Sequence, residues 1–159
     1  MKSLVVYYSR TGTTKRAATA ISRVLGSDIE EIIDTTDRRG IAGWLCAGRD
    51  AWLKVPAVIK RPKMNPSKYR IVIIGTPVWS FTVTPAVRTY IAKNFKRFKR
   101  VAFFSTKDGR MSKGELKAMQ ELCGKKPVAK LELTRKEMMS GKYYEMIKRF
   151  AKKIKNLLK

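Results

Sequence analysis

The stretch Leu4-Val5-Val6-Tyr7-Tyr8-Ser9-Arg10-Thr11-Gly12-Thr13-Thr14-Lys15 changes period in its middle. Lys2–Tyr8 is rich in Val and Tyr and reads as a strand. From Thr13 to Leu25 the apolar residues Ala17, Ala18, Ile21, Val24 and Leu25 fall on one helical face, stopped by Gly26. Between them lies a loop of small hydroxyl residues around one glycine. A strand that turns through such a loop directly into a helix aims the N–H groups of the helix start beyond the strand end, where an anion is favoured.

The alternation continues outward. Asp28–Ile33 reads as a strand interrupted by charge and Ile41–Leu53 as a helix, with Ile41, Trp44, Leu45 and Trp52 at helical spacing. Val55–Lys68, holding Pro56, Pro62 and Pro66, reads as a loop. Ile71-Val72-Ile73-Ile74-Gly75 is a buried strand, and Pro85–Asn94 a helix with proline in its first turn. Val101–Phe104 is the next strand, Ser112 a cap for a helix ending at Cys123-Gly124, Val128–Leu133 the fifth strand and Gly141–Leu158 a basic amphipathic helix. This β-α repetition predicts an α/β fold in one domain over residues 1–159: a three-layer, doubly wound, five-stranded parallel sheet. Strands one, three and four are almost wholly apolar, as central strands are. Strands two and five carry Glu30, Glu31, Lys130 and Glu132, as edge strands can. The predicted order is 2-1-3-4-5, with its ligand crevice beyond the C-terminal ends of strands one and three.

Three segments meet at that crevice. Ser9, Arg10, Thr11, Gly12, Thr13 and Thr14 offer hydroxyls, amides and a close backbone approach to a phosphate; the plainer alternative is a capping turn. Neither GxxxxGK[ST] nor GxGxxG is present. Gly75–Thr82 brings Thr76, Pro77, Val78, Trp79 and Phe81, whose rings can stack on a flat ligand or merely cover the core. Ser105, Thr106, Lys107, Asp108 and Gly109 form a polar loop able to offer amides to a ring edge. A phosphate pocket, an aromatic clamp and an amide-rich loop together describe a site for flavin mononucleotide (FMN).

These motifs resemble the flavodoxin family over essentially the whole chain. Ser9, Thr11, Gly12 and Thr14 match its [ST]-x-T-G-x-T phosphate signature, and Gly75, Thr76, Pro77 and Trp79 its G-[ST]-P-x-W ring-lining pattern, followed by Pro85. The resemblance implies that Ser9, Thr11, Gly12, Thr13 and Thr14 bind phosphate, Thr76 to Trp79 line the ribityl chain and ring, and Ser105 to Gly109 approach the pyrimidine edge. Familiar flavodoxins are acidic and carry a ring-covering tyrosine in the third loop. None stands between Ser105 and Arg110 here, so the cover of the second ring face is left open.

Charge departs furthest from the family. Against 36 Lys and Arg there are 12 Asp and Glu, a net of +24; residues 1–80 carry +8 and residues 81–159 carry +16. Such a surface suits an acidic protein, a nucleic acid or an anionic membrane. Asn94–Arg100 interleaves aromatics with cations but reads better as a helix end, so nucleic acid is the weaker expectation. Histidine is absent, which excludes histidine bases and histidine-ligated metals. Catalytic residues and metal ligands are accordingly expected to be none. Cys46 and Cys123 read as buried apolar fillers rather than a disulfide. The chain reads straight into a strand with no signal peptide and no apolar run near 20 residues, which predicts a cytoplasmic protein.

The leading functional reading is an FMN electron carrier serving an acidic, ferredoxin-like or flavin-containing redox partner. The second is an FMN-dependent reductase oxidising NAD(P)H with a quinone-like acceptor. A third, non-redox reading is a basic module that binds nucleic acid or acidic proteins. For a flavin, the positive field favours the anionic reduced form, within the limit that exposed charges are screened beyond about 10 Å at 0.1 M salt.

Overall fold

A computed structural model describes residues 2–35, 42, 43, 45, 46, 49, 53, 56–79, 82–109 and 114–158. The strands are β1 (Ser3–Tyr7), β2 (Asp28–Glu31), β3 (Ile71–Trp79), β4 (Thr82–Val83), β5 (Val101–Lys107) and β6 (Lys130–Thr134). The helices are α1 (Thr13–Leu25), α2 (Pro85–Asn94), α3 (Glu115–Cys123), α4 (Arg135–Met139) and α5 (Tyr143–Leu158). Ala42, Gly43, Leu45, Cys46 and Arg49 are also helical. Trp44 and Trp52, expected on that helix, and Ser112, the expected cap, lie outside the described residues.

The main strands are parallel in the order β2-β1-β3-β5-β6, with β4 paired antiparallel to β3. Omitting two-residue β4, this is the predicted order 2-1-3-4-5. Side chains alternate between two cores, as the pleat requires. Leu4, Val6, Val72, Ile74, Val101 and Phe103 face one core, with Val87, Tyr90 and Ile91 of α2 and Leu116, Met119 and Cys123 of α3. Val5, Tyr7, Ile71, Ile73, Ala102 and Phe104 face the other, with Ala17, Ala18 and Ile21 of α1 and Ile147, Phe150 and Ile154 of α5. Edge strand β2 is pinned from its neighbours: the hydroxyls of Tyr7 and Tyr69 donate to Glu31 (3.1 Å) and Asp28 (2.8 Å). Burial and the Asp28 carboxylate push the Tyr69 phenol up to about 12.

Several expectations are corrected. β3 does not stop at Gly75: Val78 pairs with Val83 and Trp79 with Thr82, so much of the expected second loop is a β-hairpin. β5 runs on to Lys107, placing Ser105, Thr106 and Lys107 in the sheet against Glu132, Leu133 and Thr134. Leu45 and Leu157, expected on packed faces, are 60% and 51% exposed. Both cysteines are free, but only Cys123 is buried; Cys46 is exposed.

Gly75 is where the sheet is tightest. A Cβ there would stand 2.0 Å from Cζ of Phe104, its register partner. Gly75→Ala should therefore destabilise the protein by about 1–3 kcal/mol in urea unfolding through overpacking. Adding Phe104→Leu should recover part of the loss; an unchanged midpoint for the single variant would contradict this packing.

Candidate functional site

The strand order opens a cavity of about 780 Å³ beyond the C-terminal ends of β1, β3 and β5, within the roughly 300–1,000 Å³ usual for cofactor sites. Among the described residues its walls are Arg10, Thr11, Thr13 and Thr14 from the first loop and α1, Pro77, Val78 and Trp79 from β3, and Thr106, Lys107 and Asp108 from β5. Leu45, Arg49 and Arg135 complete it.

The start of α1 forms one end. Gly12 takes φ 94° at the N-cap, a conformation open to glycine, and donates its N–H to Ser9 Oγ at 3.1 Å. No side chain caps α1 and no acidic residue occupies its first turn. Its first N–H groups are thus left for a ligand or water, with the positive end of the helix dipole behind them. Thr11 and Thr13 are exposed, whereas Thr14 is buried and shares a 2.7 Å hydrogen bond with the Thr106 hydroxyl. That bond fixes the helix start to the crest of the sheet.

Trp79 stands at the aromatic end. Tyr8 meets it edge-on, ring centres 5.4 Å apart at 83°, and the Arg10 guanidinium lies 6.0 Å from its centroid. An indole braced from two sides is a suitable wall for a flat ligand.

The third segment is organised differently from the expectation. Lys107 extends to the α3 side of the sheet, where its ammonium lies 3.0 Å from Glu115 Oε1 and 2.6 Å from Glu132 Oε2. The Ser105 hydroxyl also donates to Glu115, at 2.9 Å. Both side chains of the Lys107–Glu115 pair are shielded from water. Burial alone would lower the Lys107 pKa, but the hydrogen bonds and charges of Glu132 and Glu115 outweigh it and hold the ammonium above its usual value.

The structure therefore brings together Arg10, Thr11, Thr13, Thr14, Pro77, Val78, Trp79, Thr106, Lys107 and Asp108. Ser105 does not belong to the wall, and the Thr76 hydroxyl turns inward to Pro77 O (2.8 Å) and Thr84 (3.2 Å). Ser9, Gly12 and Gly109 adjoin the cavity in sequence without lining it. Phe81 lies outside the described residues. Sequence reasoning missed Leu45, Arg49 and Arg135 as wall residues. Only Arg135 had a signal: Thr134-Arg135-Lys136-Glu137 is a capping box, which starts α4 immediately after the last strand. Among the described residues no cluster of three or more His, Cys, Asp or Glu is placed to hold a metal, and no helix is long and apolar enough to cross a membrane.

No family model and no curated protein matches the chain. Solved structures do. A flavoprotein of Lactobacillus acidophilus in complex with FMN is 22% identical over 89% of this chain and 97% of its own, with a TM-score of 0.73. Oxidised Flavodoxin 1 of Bacillus cereus is 19% identical over 96% and 98%, at 0.54. This is the flavodoxin fold. Flavodoxin 2 of the same organism, 18% identical over 98% and 99%, gives 0.58.

The buried pair at the flavodoxin-like crest has a measurable signature. Lys107→Met removes the ammonium that buried Glu115 shares with Glu132 and should cost about 3–5 kcal/mol in urea unfolding at neutral pH. Adding Glu115→Gln should return part of it. Because the folded pKa of Lys107 is raised, the wild-type advantage is complete below the unfolded value of about 10.4 and fades as pH rises through the folded one. A gap that widens above about pH 10 would contradict the assignment.

Proposed function

We propose that the crest cavity binds FMN and that the chain, as one domain over residues 1–159, works as an electron carrier. The observation that supports this best is the uncapped, acid-free start of α1 opening into the same cavity as Trp79. One end suits a phosphate and the other a flat ring. The FMN complex of the Lactobacillus acidophilus flavoprotein, which shares the fold, supports the same ligand.

In this reading Ser9, Thr11, Gly12, Thr13 and Thr14 surround the phosphate end, and Arg10 reaches from the same loop to the Trp79 ring. Pro77, Val78 and Trp79 line the ring, with Phe81 beside them in sequence, and Thr76 contributes its backbone. Thr106, Lys107, Asp108 and Gly109 supply the polar edge, held in place by the Lys107–Glu115 pair. When bound, FMN supplies reversible electron transfer; the protein's part is to bind, orient and bias it electrostatically. Arg10, Arg49 and Arg135 around the cavity, within a +24 chain, favour an acidic redox partner and draw it in at low salt. Two free cysteines fit a reducing compartment, in keeping with a cytoplasmic carrier.

One observation favours a second reading, an FMN-dependent NAD(P)H:quinone-type reductase. Exposed Leu45 and cationic Arg49 add a wall that a small acceptor could use. Rapid NADPH oxidation in the presence of a quinone would select it over the carrier.

The direct test is the visible spectrum after incubation with FMN and gel filtration. The wild type should emerge yellow, Thr14→Leu should retain less flavin, and Trp79→Ala should alter the flavin bands. A colourless wild type, or two variants indistinguishable from it, would refute the assignment. A reduction midpoint at low salt as negative as that of acidic flavodoxins would refute its electrostatic part.

A further inference from the structure

A cation lines the cavity from an element absent from the expected fold. Thr134 closes β6 and caps α4 reciprocally: its hydroxyl accepts the Glu137 N–H at 3.3 Å, and the Glu137 carboxylate accepts the Thr134 N–H at 2.8 Å. This box makes Arg135 the first residue of α4. In the parallel register Thr106 pairs with Leu133 and Lys107 with Thr134, while the Thr106 hydroxyl bonds Thr14 in the first turn of α1. Arg135 thus emerges from the strand next to the one that anchors the start of α1. The far end of α4 is tied to the same helix, because Arg16 donates to Met138 O and covers the Tyr143 ring at 5.2 Å. Arg135 is exposed and lines the same cavity as Thr11, Thr13 and Thr14, and no described carboxylate pairs with its guanidinium.

We propose that Arg135 reads the anionic end of the cofactor and sets the preference for a flavin bearing a phosphate monoester over the same flavin without one. This rests on the reading of the cavity as an FMN site. Hydroxyls and amides hold a phosphate as neutral donors; a guanidinium adds charge-assisted, two-pronged donation that a phosphate can accept and a terminal hydroxyl cannot match. Riboflavin has the ring and ribityl chain of FMN but no phosphate, so the ratio of the two affinities isolates the phosphate's contribution, and its change on substitution isolates this residue's share.

The experiment is fluorescence titration of the full chain with FMN and with riboflavin at low salt, for wild type, Arg135→Gln, Arg135→Lys and Lys136→Gln. Arg135→Gln should weaken FMN about tenfold or more and leave riboflavin within about twofold. Arg135→Lys should fall between, since it keeps the charge and loses the fork. Lys136→Gln removes the same charge one residue away and should leave the ratio unchanged. Equal melting temperatures are expected, because the Arg135 side chain is exposed. If Arg135→Gln lowers FMN no more than Lys136→Gln, or lowers both flavins equally, the proposal is overturned while the FMN site stands. A wild type that binds neither flavin overturns both.

Discussion

The hydrogen bond between the Thr14 and Thr106 hydroxyls, 2.7 Å long and shut away from water, joins the first turn of α1 to the end of β5. Through it the helix start is held over the crest of the sheet rather than over its side. Gly12 turns the chain at φ 94° just before that turn, and Ser9 accepts its amide. The cavity exists because this helix end and the β3–β4 hairpin stand on neighbouring strands that diverge in topology: β1 leads outward to β2, while β3 leads the other way to β5. An arrangement that leaves donors unpaired at one end and an indole at the other is complementary to a ligand that is charged at its tail and flat at its head.

Electrostatics act here on two scales. The net +24 is a diffuse field, screened by salt. The Lys107–Glu115 pair is local: buried, neutral in sum, and suited to fixing the end of β5 against the start of α3. Its desolvation cost makes it a poor source of net stability but a strong constraint on geometry, since neither partner tolerates being left alone. The first scale attracts; the second positions.

Much of the architecture was legible because burial imposes composition. The runs Leu4–Tyr8, Ile71–Gly75 and Val101–Phe104 are almost wholly apolar and read as central, while the charged β2 and β6 read as edges, which fits the observed order without any side-chain geometry. The start of α1 was legible because its hydroxyl-rich loop and its Gly26 stop carry backbone meaning. What escaped were positions where a local signal had two physical causes. Gly75 reads as punctuation, yet it serves close packing against Phe104, and β3 continues through Thr76 and Pro77 to Trp79. Ser105 looks like a loop residue, but one more step of the strand's period of two sends it toward Glu115, away from the crest. Leu45 matched a packed helical face and instead stands exposed at the cavity wall, a placement that depends on tertiary contacts no periodicity encodes. Arg135 was readable only through the capping box that starts α4.

The central claim is spatial: the helix start beyond β1 and the indole of Trp79 face a single ligand. The most direct measurement is a titration of isotope-labelled protein with FMN, followed by amide and indole NMR shifts. The account predicts the largest changes at the Gly12, Thr13 and Thr14 amides and the Trp79 indole, saturating together at one equivalent per chain. Shifts confined to a different cavity, such as the one beside Arg61, Lys63 and Arg97, or no shifts at all, would contradict it.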